Sequence, residues 1–365
     1  MHMADTLISP AVGGACWAVS AGLALWSGQK VQTHLDERRI PFMGVLGAFV
    51  FAAQMINFAI PCTGSSDHLS GGLLLSILLG PQAAFLVMAS VLTVQALLFA
   101  DGGLLALGCN ILNLGFFTCF VAYPLVYRKQ ATLNSSPYRH SLAAVLAAVV
   151  GLQLGALSVV LETTISGVSD LPFGPFLLLM QPIHLVIGIM EGLVTAAVVA
   201  TIRHARPDII AAAIGPTTTP VAPIRLLVLG LGLTAIIISG GLSWFTSNNP
   251  DGLEWSIQKV LGKKGLETTG LVHNFLAGIQ HKLVLLPGYA MPKSTTNYPA
   301  ASKTKPSSWN TKSEHNLGQD PPQTVAHADT SLAGLMGGGL TLALTLGLGW
   351  LLRTRRAAAT SLNCR

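Results

Sequence analysis

The first two residues, Met1 and His2, offer three nitrogen donors in a row. The α-amine of Met1, the backbone nitrogen of His2 once deprotonated, and His2 Nδ1 close a five- and a six-membered chelate ring around one ion. Nickel(II) and copper(II) accept square-planar nitrogen sites, whereas magnesium and calcium take oxygen shells. A fourth in-plane donor completes the square, and His68 is the natural candidate. It lies in Cys62-Thr63-Gly64-Ser65-Ser66-Asp67-His68-Leu69-Ser70-Gly71-Gly72, where small residues let a loop close over an ion. Cys62 and Asp67 are alternative ligands. The plainer alternatives are a solvated terminal His2 and a His68 that precedes a short helix capped by Ser66 or Asp67.

Other polar side chains fall inside apolar runs: Gln54, Asn57, Gln95, Asn110, Asn113, His184 and Glu191. At membrane depth such residues face a bundle interior or a cavity. Asn110 and Asn113 are three apart and share a helix face, where they join helices or, with Asp67 and Gln95, support or gate a metal site. His184 and Glu191 lie two helical turns apart on one face. They read as a proton relay, as the acid and base of an intramembrane enzyme, as a packing pair, or as further supports or gates of the metal site. No H-E-x-x-H is present, and Gly262-Lys263 lacks the upstream glycine and the Ser/Thr of a phosphate-binding loop. The five cysteines form no C-x-x-C pair; four sit in or beside apolar runs, as small hydrophobes do.

These residues need elements to hold them, and composition says what kind. The 365 residues are 51% hydrophobic and 10% charged, with a mean hydropathy of +0.59. Soluble proteins carry about 25% charged residues, so soluble enzymes, disordered chains and nucleic-acid binders are excluded as leading readings. The net charge of +6 sits in short clusters between apolar runs, which records membrane orientation and not a nucleic-acid partner. No basic stretch precedes the first apolar run, so Met1 is expected to be the mature terminus.

A crossing needs about 20 apolar residues. Candidate spans are 10–28, 42–60, 82–100, 103–127, 139–165, 175–202, 224–245 and 331–352, with a shorter run at 69–80 between Gly71-Gly72 and Gly80-Pro81. Basic clusters at Lys30/Arg38/Arg39, Arg128/Lys129, Arg203/Arg206 and Arg353/Arg355/Arg356 mark cytoplasmic ends. An odd number of crossings must join the first two clusters, so 69–80 counts as a short span. The expectation is an all-α polytopic membrane protein of about nine transmembrane helices, N-terminus outside and C-terminus cytoplasmic. It divides into a seven-span domain (1–205), a Pro/Thr-rich cytoplasmic linker (206–223) and a two-span domain (224–365). The latter carries a long outside loop at 246–330, low in complexity at about 287–324. Its eight lysines do not overturn the orientation, because long loops translocate largely regardless of charge.

Several stretches then resemble one family in order. They are Met1-His2-Met3-Ala4-Asp5, Ser66-Asp67-His68-Leu69-Ser70-Gly71-Gly72 and Leu79-Gly80-Pro81-Gln82-Ala83-Ala84. They continue with Gln95-Ala96-Leu97-Leu98-Phe99-Ala100-Asp101-Gly102-Gly103, Gly108-Cys109-Asn110-Ile111-Leu112-Asn113 and Pro182-Ile183-His184. Over about residues 1–205 the chain resembles the CbiM/NikM family, the substrate-specific membrane components of energy-coupling factor transporters for cobalt and nickel. Residues 224–356, with Asn249-Pro250-Asp251-Gly252-Leu253-Glu254-Trp255-Ser256, resemble the fused companion of CbiN/NikN type. The resemblance implies an ion held by Met1, His2 and a loop histidine, matched here by His68. It further implies a separate transmembrane coupling protein and cytoplasmic ATPase subunits in the cell membrane. Nickel, then cobalt, is implied as substrate, with no resident cofactor. Two departures stand out: Ser66-Asp67-His68 replaces a common Ser-Gly-His, and Thr6 follows Asp5 where relatives commonly have glycine. The rival reading remains the intramembrane enzyme built on His184 and Glu191.

Overall fold

Apolar runs become helices whose ends are marked by residues that satisfy free backbone groups. In a computed structural model, residues 1–34, 40–61, 63–132, 135–214, 224–247, 249–262, 270–291 and 327–363 are described. Helix α1 spans Pro10–His34 and α2 Ile40–Gln54. A short antiparallel hairpin follows, β1 (Phe58–Ile60) pairing with β2 (Ser65–Asp67), with Ala59 opposite Ser66. The bundle continues with α3 (Gly72–Leu79), α4 (Pro81–Phe99), α5 (Leu107–Gln130), α6 (Pro137–Ser166) and α7 (Phe173–Ala205). After α8 (Pro207–Ile214) come α9 (Arg225–Gly240), α10 (Gly252–Leu261), α11 (Leu271–Leu283) and α12 (His327–Asn363). The protein is a nearly all-helical, multi-pass membrane protein. Among the described residues, six helices are long and apolar enough to cross a bilayer, α1, α4, α5, α6, α7 and α12, and α2 and α9 are shorter apolar helices.

Local chemistry explains the boundaries. Ser136 caps α6 by accepting from Arg139 N (3.3 Å), Pro137 occupies the first turn, and Gly167 closes it in the left-handed region at φ +60°. Small residues then let α6 and α7 touch: a Cβ on Gly188 would lie 2.9 Å from Val149 Cα, and one on Gly192 would overlap Val145. Such backbone proximity replaces the hydrophobic drive that lipid cannot supply.

The structure adds local detail to four of these stretches. The run 42–60 is helical only to Gln54, because the chain turns into the hairpin at Phe58. The run 69–80 holds an eight-residue helix, about 12 Å long at 1.5 Å per residue, which alone falls well short of a bilayer. The expected linker opens with α8, where Ile209 and Ile210 are buried. The outside loop folds locally into α10 and α11, ahead of its low-complexity stretch. Its low-complexity part falls mostly at 292–326, outside the described residues.

Candidate metal centre

The backbone of Met3 carries Met1 and His2 into the bundle. Its N–H donates to Asn110 Oδ1 (2.8 Å), and its carbonyl accepts from Asn110 Nδ2 (3.2 Å) and Gly103 N (3.0 Å). Asn113 Nδ2 lies 3.5 Å from Met3 Sδ. This close approach requires glycine at two positions. Gly102 has φ +85°, and a Cβ on Gly103 would overlap the Asp5 carboxylate. Met1 and Met3 pack into the main core, at 2% and 0% exposure, so the terminus is an interior element of the fold.

That insertion brings His2 to His68, with ring centroids 5.2 Å apart and planes at 37°. His2 Nε2–H donates to Gln95 Oε1 (3.1 Å), which leaves the Nδ1 lone pair free, 3.5 Å from Asp101 Oδ1. His68 Nδ1–H donates to the Leu69 carbonyl (3.1 Å), leaving Nε2 as the free donor. In each ring, the hydrogen bond at one nitrogen sets which nitrogen can ligate.

The His68 loop is held from beneath. Glu191 accepts from Ser70 Oγ (2.6 Å) and Gly71 N (3.2 Å) on Oε1, and from Ser70 N (3.0 Å) on Oε2. Gln54 Nε2 donates to the Ser70 carbonyl (2.8 Å), and Gln95 Nε2 donates to Gln54 Oε1 (2.7 Å). A continuous row of hydrogen bonds therefore runs from His2 through Gln95 and Gln54 to Ser70.

Residues from the second half of the chain cover this arrangement. Ser66 N donates to the Pro250 carbonyl (2.7 Å), so Asn249–Asp251 runs beside β2. Asp251 Oδ2 then lies 3.2 Å from the Met1 amine, while Asp67 Oδ1 lies at 4.0 Å. Tyr289 donates to Asp101 Oδ2 (2.5 Å), and Gln280 Nε2 donates to the carbonyls of Ala96 and Gly102 (both 2.8 Å). Burial opposes charge on the Met1 amine, but Asp251, Asp67 and Asp101 outweigh it and raise its pKa to about 10. Burial depresses His2 to about 4, with the nearby amine and His68 adding to the fall against the pull of Asp101. Burial also disfavours ionised Asp251, yet the Met1 ammonium and the Glu254 N–H hold it down at about 2. At neutral pH the site thus holds an ammonium, a neutral His2 and carboxylates beside it.

The expected residues divide clearly. Met1, His2, His68, Asp67 and Gln95 converge, and Asn110 and Asn113 grip Met3. Asp67 is no helix cap: it belongs to β2, and the residue before α3 is Gly71, with no side-chain cap. Its Oδ1 accepts from His68 N (2.7 Å). His184 and Glu191 do not form a working pair. Glu191 is taken up by the Ser70 loop, and His184 Nδ1–H donates to the Met180 carbonyl (2.7 Å) one turn back. Among the described residues, His184 Nε2 and Asp67 Oδ2 are buried without a hydrogen-bond partner, and Gly252 packs between the two side chains. Cys62 lies outside the described residues. Sequence reasoning passed over Asp101, Asp251 and Tyr289 as site residues; the first two stand inside quoted motifs, but nothing in the spacing joins them to Met1.

Residues 2–209 match the family model CbiM, described as the cobalt uptake substrate-specific transmembrane region. The chain belongs to the CbiM family. Residues 225–354 of this CbiM-family protein match the PDGLE domain. A Lactiplantibacillus plantarum protein named "Probable fused nickel transport protein LarMN" is 31% identical, over 80% of this chain and 89% of its own. The cobalt transport protein CbiM of Sorangium cellulosum is 32% identical, over 49% of this chain and 80% of its own. The crystal structure of a truncated transition metal transporter superposes with a TM-score of 0.50 at 29% identity, covering 56% of this chain and 99% of that one. Family and relatives alike are membrane metal transporters, which points away from an enzyme.

Proposed function

We propose that this protein selects a divalent transition-metal ion, nickel first and cobalt second, at the outer face of the cell membrane. The ion is substrate, held by the Met1 amine, the His2 amide nitrogen, His2 Nδ1 and His68 Nε2. The observation that carries this reading is the matched tautomer pair. Gln95 occupies the far nitrogen of His2 and the Leu69 carbonyl occupies that of His68, so the remaining donors are the ones the chelate uses. Four nitrogens in a plane favour nickel over hard cations. Copper would bind still more tightly, so choice in the cell rests on supply as well as affinity. The fused relative from Lactiplantibacillus plantarum is named for nickel transport and the one from Sorangium cellulosum for cobalt transport.

In this reading the chain is the substrate-binding component of an energy-coupling factor importer. A separate transmembrane coupling protein and cytoplasmic ATPases supply the power. Nine crossings, counting the short helix α3 together with its flanking residues as one, with the N-terminus outside and the C-terminus inside, agree with every basic cluster. They place a seven-span domain at 1–205, a linker at 206–223 and a two-span companion at 224–365. Asp67, Asp101 and Asp251 surround the site, so the loaded cation replaces the ammonium charge they now face.

Mass spectrometry of the purified full chain after loading with nickel and cobalt tests the proposal. One nickel ion per chain is expected at the terminal site, in preference to cobalt there, and His2→Ala should abolish nickel retention. Equal nickel retention by His2→Ala, or no nickel in well-folded protein, would remove the N-terminal chelate.

A further inference from the structure

A second cluster of metal-type donors lies beside the site and is not used by it. Cys16 on α1, Cys109 on α5 and Glu162 on α6 each bring one donor atom to within 4.8 Å of the others. Cys16 Sγ lies 3.8 Å from Glu162 Oε1, a weak S–H contact. Cys16 is half-buried, whereas Cys109 and Glu162 are buried. Glu162 also accepts from Asn113 Nδ2 (2.8 Å) and Ser158 Oγ (3.2 Å). Among the described residues no cation pairs with this buried carboxylate. Asn113 also has its Oδ1 buried without a partner among the described residues.

We infer that Cys16, Cys109 and Glu162 form a second cation site, selective for a thiophilic divalent ion such as zinc or cadmium. Two sulfurs and one carboxylate oxygen are the donor set such ions prefer, unlike the all-nitrogen set at the terminus. The spacing suits the chemistry. With zinc–sulfur bonds of about 2.3 Å, two tetrahedral ligands stand about 3.8 Å apart, so closing this cluster asks for shifts of about 1 Å. Three protein donors leave a fourth position for water. On binding, the thiol protons pass to solvent, and the dication meets a carboxylate that is otherwise buried without a counter-charge. The helices are fixed close together at this level: a Cβ on Gly108 would lie 2.5 Å from Trp17 N, so α1 and α5 hold the two cysteines in register. The cluster also touches the first site through one residue, since Asn113 Nδ2 reaches both Glu162 Oε2 and Met3 Sδ.

Cobalt(II) added to the reduced, full-length protein in detergent tests this directly, because thiolate ligation gives near-ultraviolet charge-transfer absorption that a nitrogen site cannot. The absorption should appear in the wild type and persist in His68→Ala, which silences the terminal site. Cys16→Ser and Cys109→Ser should each remove it, Glu162→Gln should weaken cobalt binding at least tenfold, and Cys62→Ser and Cys119→Ser should leave it intact. Added cadmium should bleach it by displacement. Should Cys109→Ser fail to insert, the half-buried Cys16→Ser carries the test. Absence of the band in folded protein whose thiols all react with a thiol reagent would overturn the inference. A band that follows Cys62 instead would also overturn it.

Discussion

Glu191→Gln isolates the support of the metal-binding loop without touching a ligand. The carboxylate now accepts three hydrogen bonds, two on Oε1 from Ser70 Oγ and Gly71 N and one on Oε2 from Ser70 N, at 2.6–3.2 Å. Glutamine keeps the size and one oxygen, so it can retain the Oε1 pair but must turn an N–H2 toward the Ser70 N–H. The lost bond is charge-assisted, and such bonds contribute about 1.5–3 kcal/mol. The surviving two lose their ionic partner and weaken to roughly half. If about 2 kcal/mol of this total reappears as the cost of re-ordering Leu69–Gly71 on metal binding, nickel affinity falls roughly thirtyfold. Isothermal calorimetry on the purified full chain reads the affinity, and a thermal melt of the metal-free protein reads the remainder. Nickel affinity within threefold of wild type, in a variant that melts normally, would show that Glu191 does not position His68.

His68→Ala should cost nickel affinity at least the 10–100-fold typical of supporting residues, with little change in melting temperature because His68 is in a loop. Equal affinity in the folded variant removes it from the site. Inserting one alanine between Met1 and His2 keeps every side chain but enlarges the chelate, so uptake should be lost and residual binding should no longer depend on His68; normal uptake refutes the terminal chelate. Nickel binding should release about two protons at neutral pH, from the Met1 ammonium and the His2 amide. The amine pKa is raised to about 10, so affinity should climb as pH rises toward that value, while His2, at about 4, adds nothing above pH 6. Calorimetry in buffers of different ionisation enthalpy counts the protons, and fewer than one would exclude the amine as ligand.

Much of this site was legible because its parts are local or share a loop. Met1 and His2 form a chelate by adjacency alone, and His68 follows once topology places its loop on the same side. Apolar run length gave the long helices, since 20 or more apolar residues have few alternatives. What stayed hidden depends on distance in sequence. Glu191 and Ser70 are 121 residues apart, and no periodicity on α7 distinguishes a loop anchor from half of a relay with His184. Asp251 reaches Met1 across 250 residues because the backbone beside β2 carries it there, which composition cannot express. Cys16 and Cys109 read as small hydrophobes for the same reason: each is ordinary on its own helix, and only the glycine-mediated contact of α1 with α5 makes them a pair. The early end of α2 was missed because Phe58, Ala59 and Ile60 are as apolar as a helix yet serve a hairpin.

The row of amides between His2 and Ser70 has a direction. Each glutamine receives a hydrogen at its oxygen and passes one on from its nitrogen, and the last acceptor is a peptide carbonyl. Reversing the row would require Gln54 to present its oxygen to the Ser70 oxygen, two acceptors with no hydrogen between them. Turning one glutamine alone sets donor against donor or acceptor against acceptor at its neighbour. The only consistent pattern therefore starts with a hydrogen on His2 Nε2. An imidazole free in water exchanges its two neutral forms, but this one is held to a single form from a distance. The nitrogen that would meet an incoming ion is thus chosen by a backbone carbonyl across two glutamines, before any ion arrives.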